Sequence, residues 1–148
     1  MFFTATAFVG ALQCSDSELR FANLGDSGLL VLRRSATGQY TLILRTVEQQ
    51  HYFNCPFQLS SAQTKRSFPD SLSDSPLAAS IGSIKLQNNG MPWGVAFFNI
   101  LDQLNCYIYY RMFHLTDILI AATDGVLDNL FDDHMVQMAN KEYALFKL

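Results

Sequence analysis

The sequence predicts an α+β domain built on antiparallel strands, and three observations carry that prediction. Through the first third, short runs rich in β-branched, aromatic and aliphatic residues alternate with polar or glycine-bearing turns. A continuous apolar run, Ile118-Leu119-Ile120-Ala121-Ala122, stops abruptly at Thr123-Asp124-Gly125. Beyond it, Phe131 to Ala139 sets acids ahead of apolar residues at helical spacing. A chain of 148 residues suits one domain with a real core, and 49% hydrophobic against 16% charged residues argues for packing rather than disorder.

Thr4 to Gln13 breaks at Cys14-Ser15-Asp16-Ser17-Glu18 before Leu19 to Leu24 resumes, which is a hairpin pattern. Met1 to Leu12 is apolar but lacks a basic leader or an Arg-rich amphipathic pattern, so it reads as a core strand and not as a targeting segment. Leu29 to Arg33 and Tyr40 to Leu44 flank Ser35-Ala36-Thr37-Gly38-Gln39, a second hairpin with its turn at Gly38. The first third is therefore expected to be one antiparallel meander, with Gly25-Asp26-Ser27-Gly28 as a tight turn inside it. Those four residues are similar to the nucleophile loop of trypsin-like serine proteases. Leu29-Leu30 follow them, however, and no histidine precedes them, so Ser27 reads as a turn residue.

Residues 48–60 mix aromatics with Gln, Asn and Pro and fit no period, and His51 among them is expected to be a hydrogen-bonded structural residue. Ser60 to Ser80 has the composition of a loop. Ala79 to Gln87 alternates enough for a strand. After the apolar run, Asp132 or Asp133 is expected to cap a helix whose Met135, Val136, Met138 and Ala139 face the sheet.

A net charge of -3, with Arg33-Arg34 and Lys65-Arg66 as the only basic pairs, gives no reason to expect a nucleic-acid partner. Cys14, Cys55 and Cys106 have no metal-ligand spacing and suit a reduced intracellular compartment, each as a structural thiol. Trp93 to Leu115 carries Asn99, Asp102, Gln103, Asn105 and Arg111, which rules out a membrane span there.

The chemistry concentrates where the apolar run ends. Five consecutive apolar residues suit a strand covered on both faces, delivering Asp124 to a sheet edge. Gly125 permits close backbone approach or an unusual turn, and Asp128 follows one helical turn after Asp124 if a helix begins here. Two carboxylates facing one pocket are what Mg²⁺ or Mn²⁺ needs, with water completing the shell. An Asp-Gly pair is also common strand punctuation, and from these residues alone both readings stand.

Three motifs together, Ala22-Asn23-Leu24-Gly25-Asp26-Ser27, Glu48-Gln49-Gln50-His51-Tyr52-Phe53-Asn54-Cys55-Pro56-Phe57-Gln58-Leu59 and Ala122-Thr123-Asp124-Gly125-Val126-Leu127-Asp128-Asn129, resemble the metal-dependent serine/threonine protein phosphatases of the 2C type, the PPM family. The second is similar to the branch typified by the mitochondrial matrix phosphatases. The resemblance implies a four-layer α-β-β-α sandwich of two antiparallel sheets, represented here by a single partial domain over residues 1–148. It implies hydrolysis of phosphoserine and phosphothreonine in protein substrates by a water activated on Mg²⁺ or Mn²⁺, with no catalytic side chain as nucleophile. By the same resemblance Asp124 matches the aspartate of the core metal centre. Asp26 and Asp128 match carboxylates associated with an outlying third metal, and Gly25 and Gly125 are structural glycines at the site. The matrix is the expected compartment by analogy, and otherwise the cytoplasm.

The chain departs from the family pattern in three places. It carries no Asp-Gly-x-Gly-Gly motif and no C-terminal aspartate pair, so an octahedral site would lack its bridging carboxylate. Asn88 to Leu115, aromatic-heavy and without a clear period, stands where the family passes almost directly into the aspartate strand. It is either an insertion folded as a helix or hairpin against the outer face, or non-native coding sequence such as a retained intron. The second is favoured, because exposing Trp93, Phe97, Phe98, Tyr107, Tyr109 and Tyr110 would create a large apolar patch. A catalytically inactive phosphatase-like binding module and a nonfunctional truncated product are the alternatives to an enzyme.

Overall fold

A computed structural model of the chain describes residues 4–13, 17–67, 72–87 and 117–145. The atypical stretch 88–115 lies outside the described residues. The strands are β1 (Thr4–Ala5), β2 (Ala7–Gln13), β3 (Glu18–Leu24), β4 (Gly28–Arg34), β5 (Tyr40–Arg45), β6 (Gln50–Tyr52), β7 (Cys55–Pro56), β8 (Leu59–Ser60), β9 (Ser80–Lys85) and β10 (Asp117–Ala122). The helices are α1 (Ala62–Ser67), α2 (Asp124–Leu127) and α3 (Asp132–Leu145). Two three-stranded sheets form, in the orders β2-β3-β9 and β10-β4-β5, with two small pairs β1-β8 and β6-β7. Every pairing is antiparallel.

Both expected hairpins are present, β2 with β3 and β4 with β5, the latter turning through Gly38 at φ 88°. The single meander is not. β3 and β4 are consecutive in sequence but belong to different sheets, and the chain crosses between them at Gly25, whose φ is 91°. The reason is that β4 is apolar on both faces and needs two covers. Leu29 and Val31 pack with Leu19, Phe21 and Leu86, which joins the two sheets face to face. Leu30 and Leu32 point the other way, into clusters with Leu127 and Met135 and with Tyr40 and Ala139, under α2 and α3. The described layers are sheet, sheet and helices, in agreement with the α+β sandwich.

Several expectations need correction. Among the described residues β10 is an edge strand, with Ile118, Ile120 and Ala122 packed toward the helices and Leu119 37% exposed. Leu44 of β5 joins the core between the sheets, and Leu119 does not. Among the described residues β2 is an edge strand with one face on the core: Phe8 packs against Phe21 there, while Val9 is 65% exposed, and its cross-sheet neighbour Ile81, reached through Ala22, is exposed as well. The segment 60–80 is not all loop. Ser61 accepts the Thr64 N–H at 3.1 Å and so caps α1, and Ser75 caps a short 3₁₀ turn at Pro76–Ala78. In α3 the two acids lie within the first turn instead of capping it. The first intrahelical bonds run to the carbonyl of Phe131, and Asp132 is ion-paired with Arg45. Met138 is exposed, since Met135, Val136 and Ala139 define the face that meets the sheet. Asn140 fixes that docking by accepting the Tyr40 N–H at 2.7 Å and donating to the Tyr40 carbonyl at 3.2 Å.

Candidate functional site

The register of β4 with β10 decides which residues meet. Its last pair is Ala122 with Gly28, so the turn entering β4 and the segment leaving β10 emerge from the same end of the sheet. Asp26 stands two residues before Gly28 and Asp124 two residues after Ala122. Asp124 opens α2, and the Asp128 N–H donates to the Asp124 carbonyl at 2.8 Å, which puts Asp128 one helical turn on, as expected from the sequence. Asp124 Oδ1 accepts the N–H of Gly125 at 2.7 Å, which orients the carboxylate.

Gly125 itself is not crowded. Among the described residues, a Cβ there would meet nothing nearer than Thr123 Oγ1 at 3.9 Å. The space beside Asp124 is open on that side. Among the described residues, no group of three His, Cys, Asp or Glu side chains is placed to hold a metal ion. Asp26 and Asp124, which leave the same end of the sheet, offer carboxylate oxygens, the donor type of a hard divalent cation that keeps several waters.

The Asp26 turn is the most heavily braced part of this end. At φ 91°, Gly25 occupies the left-handed region, and a Cβ on it would lie 2.3 Å from the Phe57 carbonyl oxygen and 2.6 Å from Thr6 Cγ2. Gln49 donates its N–H to the Gly25 carbonyl at 3.0 Å, and its Oε1 accepts the Gly25 N–H at 3.3 Å. Fully buried Asn23 donates from Nδ2 to the same carbonyl at 3.4 Å. The Ser27 hydroxyl is buried and bonded to that of Thr6 at 2.8 Å, the environment of a turn residue and not of a nucleophile. Thr46 Oγ1 accepts the Leu29 N–H at 2.9 Å at the start of β4. The bracing by Gln49, Thr6 and Thr46 has no signal in the sequence, because long-range polar braces leave no spacing to read.

His51 is structural, as expected. Its ring stacks on Phe57 with centroids 4.3 Å apart, and Nε2 lies 3.1 Å from the Asp74 carboxylate. Asp74 also accepts the Gln58 N–H at 2.9 Å, while its own N–H donates to the Gln58 carbonyl at 2.8 Å. Burial works to raise the Asp74 carboxyl, but the Gln58 N–H and then His51 outweigh it, and the group is held below its ordinary value. A carboxyl depressed by folding stabilises above its unfolded value, and that contribution is lost as pH falls through the folded value. For the parent chain, stability is therefore expected to decline below about pH 4, the ordinary aspartate range. Asp74→Asn should flatten that limb, as measured by urea denaturation between pH 3 and 6 (assay range). An unchanged acid limb would show that Asp74 contributes nothing to it.

Beside α2 lies an open depression of about 370 Å³ lined by Arg45, Leu127, Phe131, Asp132 and Asp133. Asp26, Asp124 and Asp128 do not line it, and Arg45 is already engaged by Asp132 and Glu48.

No family model matches the chain. The chain is 36% identical over 138 residues to the Protein phosphatase PTC7 homolog of Danio rerio, covering 93% of this chain and 35% of that protein. The Homo sapiens protein of the same name is equally similar, at 36% identity with 34% of its length covered. The Probable protein phosphatase 2C 26 of Arabidopsis thaliana is 28% identical over 83% of this chain and 28% of that protein. Among solved structures, the photosystem II phosphatase PBCP superposes with a TM-score of 0.60 at 26% identity, over 92% of this chain and 38% of that one. The chain thus spans about a third of the length of the curated relatives it matches.

Proposed function

Because the chain belongs to the 2C-type, or PPM, family of protein phosphatases, we propose that it serves metal-dependent hydrolysis of phosphoserine and phosphothreonine in phosphorylated proteins. The observation that carries the reading is the β4–β10 register, which brings the aspartates of two separate motifs, Asp26 and Asp124, to one end of a sheet. Mg²⁺ or Mn²⁺, when bound, supplies an activated water and neutralises charge developing on the phosphoryl group. Asp124, oriented through the Gly125 N–H, offers a carboxylate from the start of α2, and Asp26 offers one from a turn fixed on both sides of Gly25. Asp128 adds a third acid one turn further along α2. Ser27, bonded to Thr6, is not a nucleophile in this reading. We extend the reading to the mitochondrial matrix, on the similarity of residues 48–59 to that branch.

The test is manganese-dependent hydrolysis of an aryl phosphate by the full chain. Asp124→Ala is expected to lower it by more than about 10–100-fold, the range for losing a group that merely supports a metal ligand. Turnover in the parent no greater than in Asp124→Ala would overturn the enzyme reading. Phosphopeptide binding without turnover would then identify a phosphatase-like binding module.

A further inference from the structure

The geometry points to Gln49 as a positioning residue: it sets the conformation of the Asp26 turn and thereby the presentation of the Asp26 carboxylate to a divalent cation. The inference rests on the proposed cation role of Asp26 and adds a residue outside the two aspartate motifs.

Gln49 uses all four of its polar groups. Its N–H donates to the Gly25 carbonyl at 3.0 Å, and its Oε1 accepts the Gly25 N–H at 3.3 Å, so one residue holds the peptide groups on both sides of the Gly25 Cα. Its carbonyl accepts the Phe57 N–H at 2.9 Å, and its Nε2 donates to the Ala78 carbonyl at 2.8 Å. The side-chain orientation is determined by its surroundings. An acceptor must face Gly25 N–H and a donor must face the Ala78 carbonyl, and only one amide rotamer satisfies both. The Phe57 residue that Gln49 holds is the one whose carbonyl closes over Gly25 and leaves no room for a Cβ.

Asp26 is the next residue in the chain. Rotation about the Gly25 dihedrals swings the following peptide and changes where Asp26 stands relative to the end of the sheet where Asp124 emerges. Pinning both Gly25 peptide groups removes that freedom. A residue that orients a ligand-bearing turn in this way governs affinity without touching the cation.

The two side-chain bonds can be separated by substitution. Gln49→Glu keeps the acceptor for Gly25 N–H and loses the donor to Ala78. Gln49→Leu loses both, while the backbone bonds to Gly25 and Phe57 survive, so the segment retains its fold. The experiment titrates Mn²⁺ into the full chain, with free ion read by electron paramagnetic resonance, and follows hydrogen exchange of the Gly25 amide by NMR. Gln49→Leu is expected to weaken manganese binding about tenfold, the lower end for such supporting residues, and to speed Gly25 exchange. Gln49→Glu, which keeps the acceptor for Gly25 N–H but sets an oxygen against the Ala78 carbonyl, should fall between Gln49→Leu and the parent in Gly25 exchange. Equal loss in Glu and Leu would show that only the brace to Ala78 matters and would overturn the inference. So would parent-like affinity in Gln49→Leu where Asp26→Ala is weakened, leaving the proposed function standing. Parent and Asp26→Ala binding manganese equally would instead remove the proposed role of Asp26, and the inference with it.

Discussion

Asp117→Ala is expected to destabilise the chain by about 3–5 kcal/mol, the cost of breaking a buried ion pair by removing one partner. Asp117 is fully buried at the first position of β10, directly opposite Arg33 of β4. It accepts Arg33 Nε at 2.9 Å and Nη2 at 2.8 Å in a bidentate pair, and the Gln87 N–H at 2.7 Å. Arg33 Nη2 also donates to the Lys85 carbonyl at 2.7 Å, so the pair binds the end of β9 in one sheet to the edge of the other. The hydrogen bond to Asp117 raises the Arg33 guanidinium above its usual value, against the opposing effect of burial. Alanine would leave a mostly covered guanidinium and a backbone N–H without their acceptor. Asp117→Asn, which retains one acceptor oxygen, should lose less. Urea denaturation at neutral pH measures both, and a loss below about 1 kcal/mol for alanine, the level of an exposed pair, would show the bridge to be ordinary surface electrostatics.

Gly25→Ala is the second large effect, and Gly125→Ala is its control. At Gly25, a side chain would have to adopt a left-handed backbone, at about 1–3 kcal/mol. It would also displace the Phe57 carbonyl from 2.3 Å, an overpacking cost of about 1–3 kcal/mol more. The expected total is several kcal/mol, with the Gln49 bonds to Gly25 lost as well. At Gly125, in α2 and in open space, alanine has no clash to relieve and is the better helix former by about 1 kcal/mol. Thermal melts should therefore show Gly25→Ala well below the parent and Gly125→Ala at or slightly above it. Comparable losses at both positions would mean that the Gly25 turn is not the strained one. The contrast also bears on function: reduced manganese binding in a folded Gly125→Ala would have to arise from its nearness to Asp124, since stability gives no reason for it.

The Gly-Asp turns and the strands around them were legible because each is local. Leu29-Leu30-Val31-Leu32 and Ile118-Leu119-Ile120-Ala121-Ala122 show the same continuous apolar pattern, yet the first is central and covered on both sides while the second is an edge. Composition records how apolar a strand is, whereas its neighbours in the sheet decide how much of it is covered. His51 is structural, as its setting in the sequence suggests, but its partner Asp74 lies 23 residues away in a stretch of loop composition. Asp117 is a lone polar residue ahead of an apolar run and Gln49 one of several glutamines near residue 50, so neither composition nor spacing marks its role.

What the amino-acid order determined unaided is therefore short-range: two hairpins, a helix near the C-terminus, the family motifs, and carboxylates placed at strand ends. Tertiary structure alone decided that β3 and β4 part into separate sheets, that Asp26 and Asp124 leave the same end of one of them, and that Gln49 and Asp117 hold the joints. The physical reason is range. Dihedral preference and hydrophobic period act over a few residues, while a β-register and a side-chain hydrogen bond join residues 24 to 94 apart and leave no periodic trace in the chain between them.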